Sequence, residues 1–208
     1  PADKTRILLS SIEDNAFCRF NRFADPDFDA SKTLAMQIGE PLTIDSRMDM
    51  ELQRVNSANM LMVGDNTDKA RNMFIFTMIS LCVDHWLKHG GKAPEKPFIH
   101  LMNLKPLNDS YFVDIPKMLA DELPAYIDNV NCAGGEDINE LLAGLYSSCN
   151  DPCPHDEYLL VFGYQRGEKL KSDSMISCAG TDVSCADAFM HVLEKGPANG
   201  IHTIIWQD

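Results

Sequence analysis

Asn59-Met60-Leu61-Met62-Val63-Gly64-Asp65-Asn66-Thr67-Asp68-Lys69-Ala70-Arg71 is the stretch from which the fold is read. An uninterrupted apolar run ends on a glycine, a polar turn follows, and an apolar-rich stretch continues to residue 87 before Lys88-His89-Gly90-Gly91. A run without polar alternation is the mark of a strand covered on both faces, and basic residues followed by Gly-Gly are a helix C-terminus. Thr67 or Asp68 is the expected N-cap. Strand, turn and long helix make the first half of a βαβ unit.

The same alternation recurs downstream. Residues 96–102, 125–130, 158–162 and 201–206 read as strands, and 115–122, 137–149 and 187–194 as helices. Buried strands alternating with helices imply an α/β fold, with a mostly parallel sheet covered on both faces. Upstream the pattern is weaker: a strand at 6–12, polar turns at 25–27, a helical stretch at 32–38 and a break at Gly39-Glu40-Pro41. A short hairpin is expected from 42–44 and 48–52. This places a connector, or the tail of a preceding module, at 1–38 and the main domain at 39–208. The absence of an opening Met and the abrupt end at Trp206-Gln207-Asp208 point to a piece of a longer protein, truncated at its C-terminus.

Composition narrows the class. The chain has 208 residues, 45% hydrophobic and 24% charged, which excludes wholesale disorder. Its apolar runs break before the ~20 residues needed to span a bilayer, and no secretory leader opens it. Seven cysteines, an odd number, fit a reducing, cytoplasmic setting. Cys149, Cys153 and His155 have metal-like spacing, but no second close pair accompanies them, so loop cysteines are the default. Eighteen basic residues face 31 acidic ones, and 108–157 holds eleven acids against the single base Lys117. That stretch is read as a solvated face or as an acidic docking surface for a basic partner. Repulsion from phosphate backbones makes duplex binding by this chain weak or absent, with the bases (Arg47, Arg54, Lys69, Arg71, Arg166, Lys169, Lys171) scattered along it.

Strand, glycine, turn and helix are also the layout of a phosphate loop, G-x-x-x-x-G-K-[ST]. From Gly64 the chain reads Gly64-Asp65-Asn66-Thr67-Asp68-Lys69-Ala70-Arg71, so Lys69 stands at the second glycine, Ala70 at the lysine and Arg71 at the hydroxyl that holds Mg²⁺. Asp65 and Asp68 add negative charge where a triphosphate lies. The carboxylate that orients water after a later buried strand is also missing: 158–162 is followed by Gly163 and Tyr164. The methionines Met60, Met62, Met73 and Met78 read as core, and His85 and His100 as structural histidines. Arg166 is either a surface salt-bridge residue or an arginine acting on a neighbouring subunit.

Phe189 to Ile205, with Gly200-Ile201-His202 at its turn into an apolar strand, resembles the FtsK/SpoIIIE DNA-translocase ATPases. Gly39-Glu40-Pro41 and Ile44-Asp45, ahead of the 59–64 strand, resemble that family's approach to its Walker A loop. The resemblance implies a RecA-like P-loop three-layer fold with a degenerate Walker A at Gly64–Arg71 and a degenerate Walker B at Gly163 and Tyr164. It implies a non-catalytic module without a cofactor of its own, whose partners are neighbouring ATPase modules or further copies of the chain. The parent protein it implies is an ATP-dependent translocase at the membrane. Two alternatives stay open: a nucleotide-binding motor in which Lys69 and Arg71 replace the phosphate ligands with ATP and Mg²⁺, and an α/β interaction domain unrelated to translocases.

Overall fold

The structure, a computed structural model, describes residues 35–37, 49–89, 92–104, 119, 122–130, 132 and 135–208. Its elements, numbered along the chain, are β1 (Ala35–Gln37), β2 (Asp49–Glu51), β3 (Met60–Val63), α1 (Thr67–Lys88), β4 (Ile99–Asn103), β5 (Ile127–Val130), α2 (Glu136–Ser148), β6 (Glu157–Phe162), β7 (Met175–Cys178), β8 (Thr181–Ser184), α3 (Cys185–Lys195) and β9 (Ile201–Gln207). Five of them form one parallel sheet in the order β3-β9-β6-β4-β5.

Glu157–Phe162 is buried at all six positions, and Ile201–Trp206 is buried throughout, so no alternation shows in either sequence. Leu160 sits opposite Leu101 on one side and Ile204 on the other. Connections between parallel strands are right-handed, so the direction of travel across the sheet decides which face each helix covers. From β3 the chain moves past β9 and β6 to β4, which puts α1 on one face. The return from β5 to β6 and on to β9 runs the other way and puts α2 and α3 on the opposite face. The two cores follow suit. Phe74, Met78 and Leu81 of α1 pack on Ile99, Leu101, Leu160 and Trp206, while Leu142 of α2 and Phe189 of α3 pack on Met102, Leu159 and Val161. Three layers result, an α/β architecture.

Several expectations need correction. Residues 32–38 read as helical, yet Ala35–Gln37 pairs antiparallel with Asp49–Glu51, joining residues on either side of position 39. Pairing overrides a weak local preference there. The hairpin partner expected at 42–44, the strand at 6–12, the turns at 25–27 and most of 115–122 lie outside the described residues. Strand β3 is not covered on both faces: among the described residues it is the margin of the sheet, with Leu61 and Val63 exposed and Met60 and Met62 turned toward α1. The cap of α1 is Asn66, one residue before the expected Thr67 or Asp68; its Oδ1 accepts the Lys69 backbone N–H at 2.9 Å. The β7–β8 hairpin was not expected at all. Ala179 (φ 49°) and Gly180 (φ 86°) supply the two left-handed residues that a tight hairpin turn requires.

The C-terminal end of α1 carries a buried imidazole. His85 is 5% exposed, stacks on Phe98 with centroids 4.9 Å apart and meets His89 at 4.2 Å, and among the described residues its Nδ1 has no hydrogen-bond partner. Burial, then the His89 and His155 charges, lower its pKa to about 4 from 6.5, against a weaker opposing pull from Asp84. The folded chain thus refuses a proton that the unfolded chain accepts. This contribution is complete above pH 6.5 and is lost as pH falls toward 4, by up to about 3 kcal/mol. Denaturant titrations between about pH 4 and 7 should show a shallower acid limb for His85→Gln than for the parent. Identical slopes would contradict this assignment.

Candidate functional site at the carboxyl edge of the sheet

All five strands end on the same edge, where open α/β sheets place their ligands. There the Gly64 N–H donates to the Gln207 carbonyl at 3.1 Å, the Gly163 N–H to Trp206 at 3.0 Å, and the Leu104 N–H to Phe162 at 2.9 Å. The residues after β3 and those after β6 therefore share one edge, with the single strand β9 between them. Beneath them Trp206 stacks on Phe162 with centroids 4.3 Å apart, and Phe162 meets Phe74 edge-on at 5.3 Å. Such aromatic pairs contribute ~0.5–1.5 kcal/mol each beyond area burial, so the floor of this edge is apolar and fixed.

The loop over that floor, Gly64–Arg71, carries two acids and two bases. Gly64, Asp65, Asn66, Asp68 and Lys69 are exposed, Thr67 is half-buried and Ala70 is buried against the core. No atom lies within 4 Å of where a Cβ would stand on Gly64, so packing does not require glycine there. Arg71 is 9% exposed, and its guanidinium donates to Asp68 Oδ1 at 2.8 Å, one turn back on the helix. After β6, Gly163 takes a left-handed backbone (φ 81°) and Tyr164 turns to α3, stacking on Phe189 with centroids 5.7 Å apart under the Lys171 ammonium. Gln165 follows with both side-chain amide atoms buried and, among the described residues, without hydrogen-bond partners. Arg166 is exposed on a short 3-10 turn, and among the described residues no carboxylate pairs with it.

Mg-nucleotide does not fit this donor set. Ala70 offers no ammonium and Arg71 no hydroxyl, Asp65 and Asp68 oppose a polyphosphate, and Gly163 and Tyr164 have no carboxylate to orient water. Of the basic residues, Lys69 and Arg166 are exposed on the two turns at this edge, and Lys171 lies over the Tyr164 ring. Arg54 lies at the opposite edge and Arg71 is turned to Asp68. In the cysteine loop Cys149 is buried in the α2–α3 layer, where burial first and Cys153 second raise its thiol to about 12, while His155 faces His89. Among the described residues no group of three or more His, Cys, Asp or Glu side chains is placed to hold a metal ion.

Gly200-Ile201-His202 sits at the amino edge, away from the loop, and there the fold does demand these residues. Gly200 has φ 89°, and a Cβ on it would stand 2.8 Å from Arg54 Nη2 and 3.1 Å from Asp156 Oδ1. Arg54 reaches Asp156 through Nε at 2.9 Å and Nη2 at 2.8 Å, and donates from Nη1 to the Cys153 carbonyl. His202 is fully buried. Burial lowers its pKa, so the neutral ring donates from Nδ1 to the Ala58 carbonyl oxygen at 3.2 Å. Asn59 completes the clasp, accepting from the Thr203 N–H at 2.8 Å and donating to the Leu193 carbonyl at 2.6 Å. Segment 54–59 is thereby tied to the start of β9. Arg54, Asn59 and Asp156 were not singled out from sequence as clasp residues, because their partners lie about 100 positions away or more. No family model matches the chain, and neither a curated protein nor a solved structure matches it.

The clasp predicts an asymmetry. The Asp156 side chain is 7% exposed and that of Arg54 34%. Removing Arg54 strands a buried carboxylate, whereas removing Asp156 leaves a guanidinium that water still reaches. Arg54→Ala should cost ~3 kcal/mol in urea unfolding and Asp156→Ala no more than about half of that. Equal costs, or the reverse order, would refute the account.

Proposed function

We propose that this chain is a non-catalytic RecA-like module of an FtsK/SpoIIIE-type ATPase, acting through protein contacts in a larger translocase or secretion assembly. The observation that carries the reading is the pairing of two blank positions on one edge. A strand-glycine-turn-helix unit ends β3 and a glycine turn ends β6, one strand apart in a parallel sheet, which is the placement a phosphate loop and its water-orienting carboxylate need. Ala70 and Arg71 in the first, and Gly163 and Tyr164 in the second, lack the chemistry for that work. A layout kept while its reacting groups are absent supports a role in binding neighbouring modules rather than in turnover. Among the described residues no helix is long and apolar enough to cross a membrane.

The alternative, a nucleotide-binding motor with an atypical loop, draws on exposed Lys69 alone, since Arg71 is largely buried and bound to Asp68. The two readings separate in a coupled-enzyme assay with Mg-ATP. Hydrolysis by the chain should stay at the buffer blank, unchanged by Lys69→Ala. Turnover above the blank that disappears in Lys69→Ala would establish the motor instead.

A further inference from the structure

At the margin of the sheet opposite β3, a groove of about 520 Å³ runs between α2 and the strands β5 and β4. Four carboxylates line it, those of Asp128, Asp137, Glu140 and Glu157, against the one ammonium of Lys96 and the imidazole of His100. The carboxylates outnumber the fixed cation by three. Val130 and Leu145, both buried, form apolar floor, and on Gly144 no atom lies within 4 Å of where a Cβ would stand, so the mouth is open.

The groove already shows what it accepts. Glu157 is 8% exposed in its side chain, and the ammonium on it comes from Lys96, whose own side chain is 74% exposed and reaches in from solvent. Burial alone would push the Glu157 carboxyl up; the nearby His100 ring and the hydrogen-bonded Lys96 ammonium hold it below its ordinary value, hence ionised. His100 lies between two carboxylates, with Nδ1 3.6 Å from Asp128 and Nε2 3.9 Å from Glu157. Among the described residues lining the groove, no lysine or arginine matches Lys96 for Asp128, Asp137 and Glu140. Beside them, β5 is paired only with β4 among the described residues, so one side of its backbone is an unfilled ladder. From Asp137 to Ser148 helix α2 rises ~16 Å, the length of a ~5-residue extended segment, and alternate side chains of such a segment point the same way.

We propose that this groove, together with the open edge of β5, is a docking surface for an extended lysine- or arginine-bearing segment of a partner protein. The segment's backbone pairs with β5 as an added strand. Its alternate cations meet Asp137, Glu140 and Asp128, while their aliphatic stems lie on Val130 and Leu145. One cation takes the Glu157 carboxylate from Lys96, which acts as a resident stand-in. The inference names a contact surface but does not depend on how the loop after β3 is read; failure here leaves the nucleotide experiments untouched, and the reverse holds too.

The test is a fluorescence-anisotropy titration of the full chain with a labelled hexapeptide of alternating arginine and valine, at ~0.1 M salt, where distant surface charges are largely screened. Binding should weaken at least about fivefold in Asp137→Asn/Glu140→Gln. It should be unchanged in Asp173→Asn/Asp182→Asn, an equal loss of charge at two exposed positions outside the groove. Lys96→Ala, which removes the stand-in, should tighten binding, and Lys92→Ala should not. The proposal is overturned by no binding at ~0.1 mM protein, by equal losses in the two double variants, or by spermine displacing the peptide as well as unlabelled peptide does. That last outcome would reveal a plain cation sink with no strand recognition.

Discussion

The sheet is organised around one strand with no water on either side. Glu157–Phe162 is buried at every position and hydrogen-bonded on both edges, to Ile99–Asn103 and to Ile201–Gln207. A strand in that position must carry apolar side chains both up and down, and both of its faces must be roofed by other elements. The helices are consequences of this. With right-handed connections, α1 roofs one face and α2 with α3 the other, and each lays its own aromatic or aliphatic layer on the strand. Leu160→Ala at the centre would remove contacts to both neighbouring strands at once, which is why such positions usually cost several kcal/mol.

That central ladder also separates the molecule into two working edges. The carboxyl edge is where the chain's direction of travel brings Gly64–Arg71 and Gly163–Arg166 together, over a floor of Phe74, Phe162 and Trp206. The amino edge holds the tightly bonded polar groups: Arg54 on Asp156, Lys96 on Glu157, and His202 on the Ala58 carbonyl. Polar contacts close the fold at the amino edge, while the carboxyl edge bears the exposed Asp65, Asp68, Lys69 and Arg166 and an arginine already bound to Asp68.

Much of this was legible in the sequence because burial leaves a direct imprint. YLLVF and IHTIIW contain too few polar residues to be half-exposed strands, and the Gly90-Gly91 stop marked the end of the long helix. What the sequence misplaced follows from tertiary geometry. Met60-Leu61-Met62-Val63 is as apolar as β6, so nothing in it signals a margin; only the strand order accounts for the exposure of Leu61 and Val63. Asn66 capping was readable from residue type and lost to a boundary error of one residue. The role of Gly200-Ile201-His202 was not readable, since the groups that need it, Arg54, Ala58 and Asp156, are supplied by distant segments. The groove along α2 was visible only as an acid-rich stretch; Lys96 lies outside that stretch, and its seat on Glu157 comes from pairing β4 with β6.

The proposed reading requires that the carboxyl edge, with Ala70, Arg71, Gly163 and Tyr164 where phosphate and metal ligands would stand, holds no nucleotide. Thermal unfolding with and without nucleotide measures this directly, because any ligand that binds only the folded chain raises its stability by RT ln(1 + [L]/Kd). At ~1 mM Mg-ATP or Mg-ADP, a site with Kd ~10 μM would contribute ~2.7 kcal/mol and move the midpoint of a domain this size by roughly 5–10 °C. The account predicts a midpoint that does not move with either nucleotide. A rise of several degrees, absent in Lys69→Ala, would contradict it.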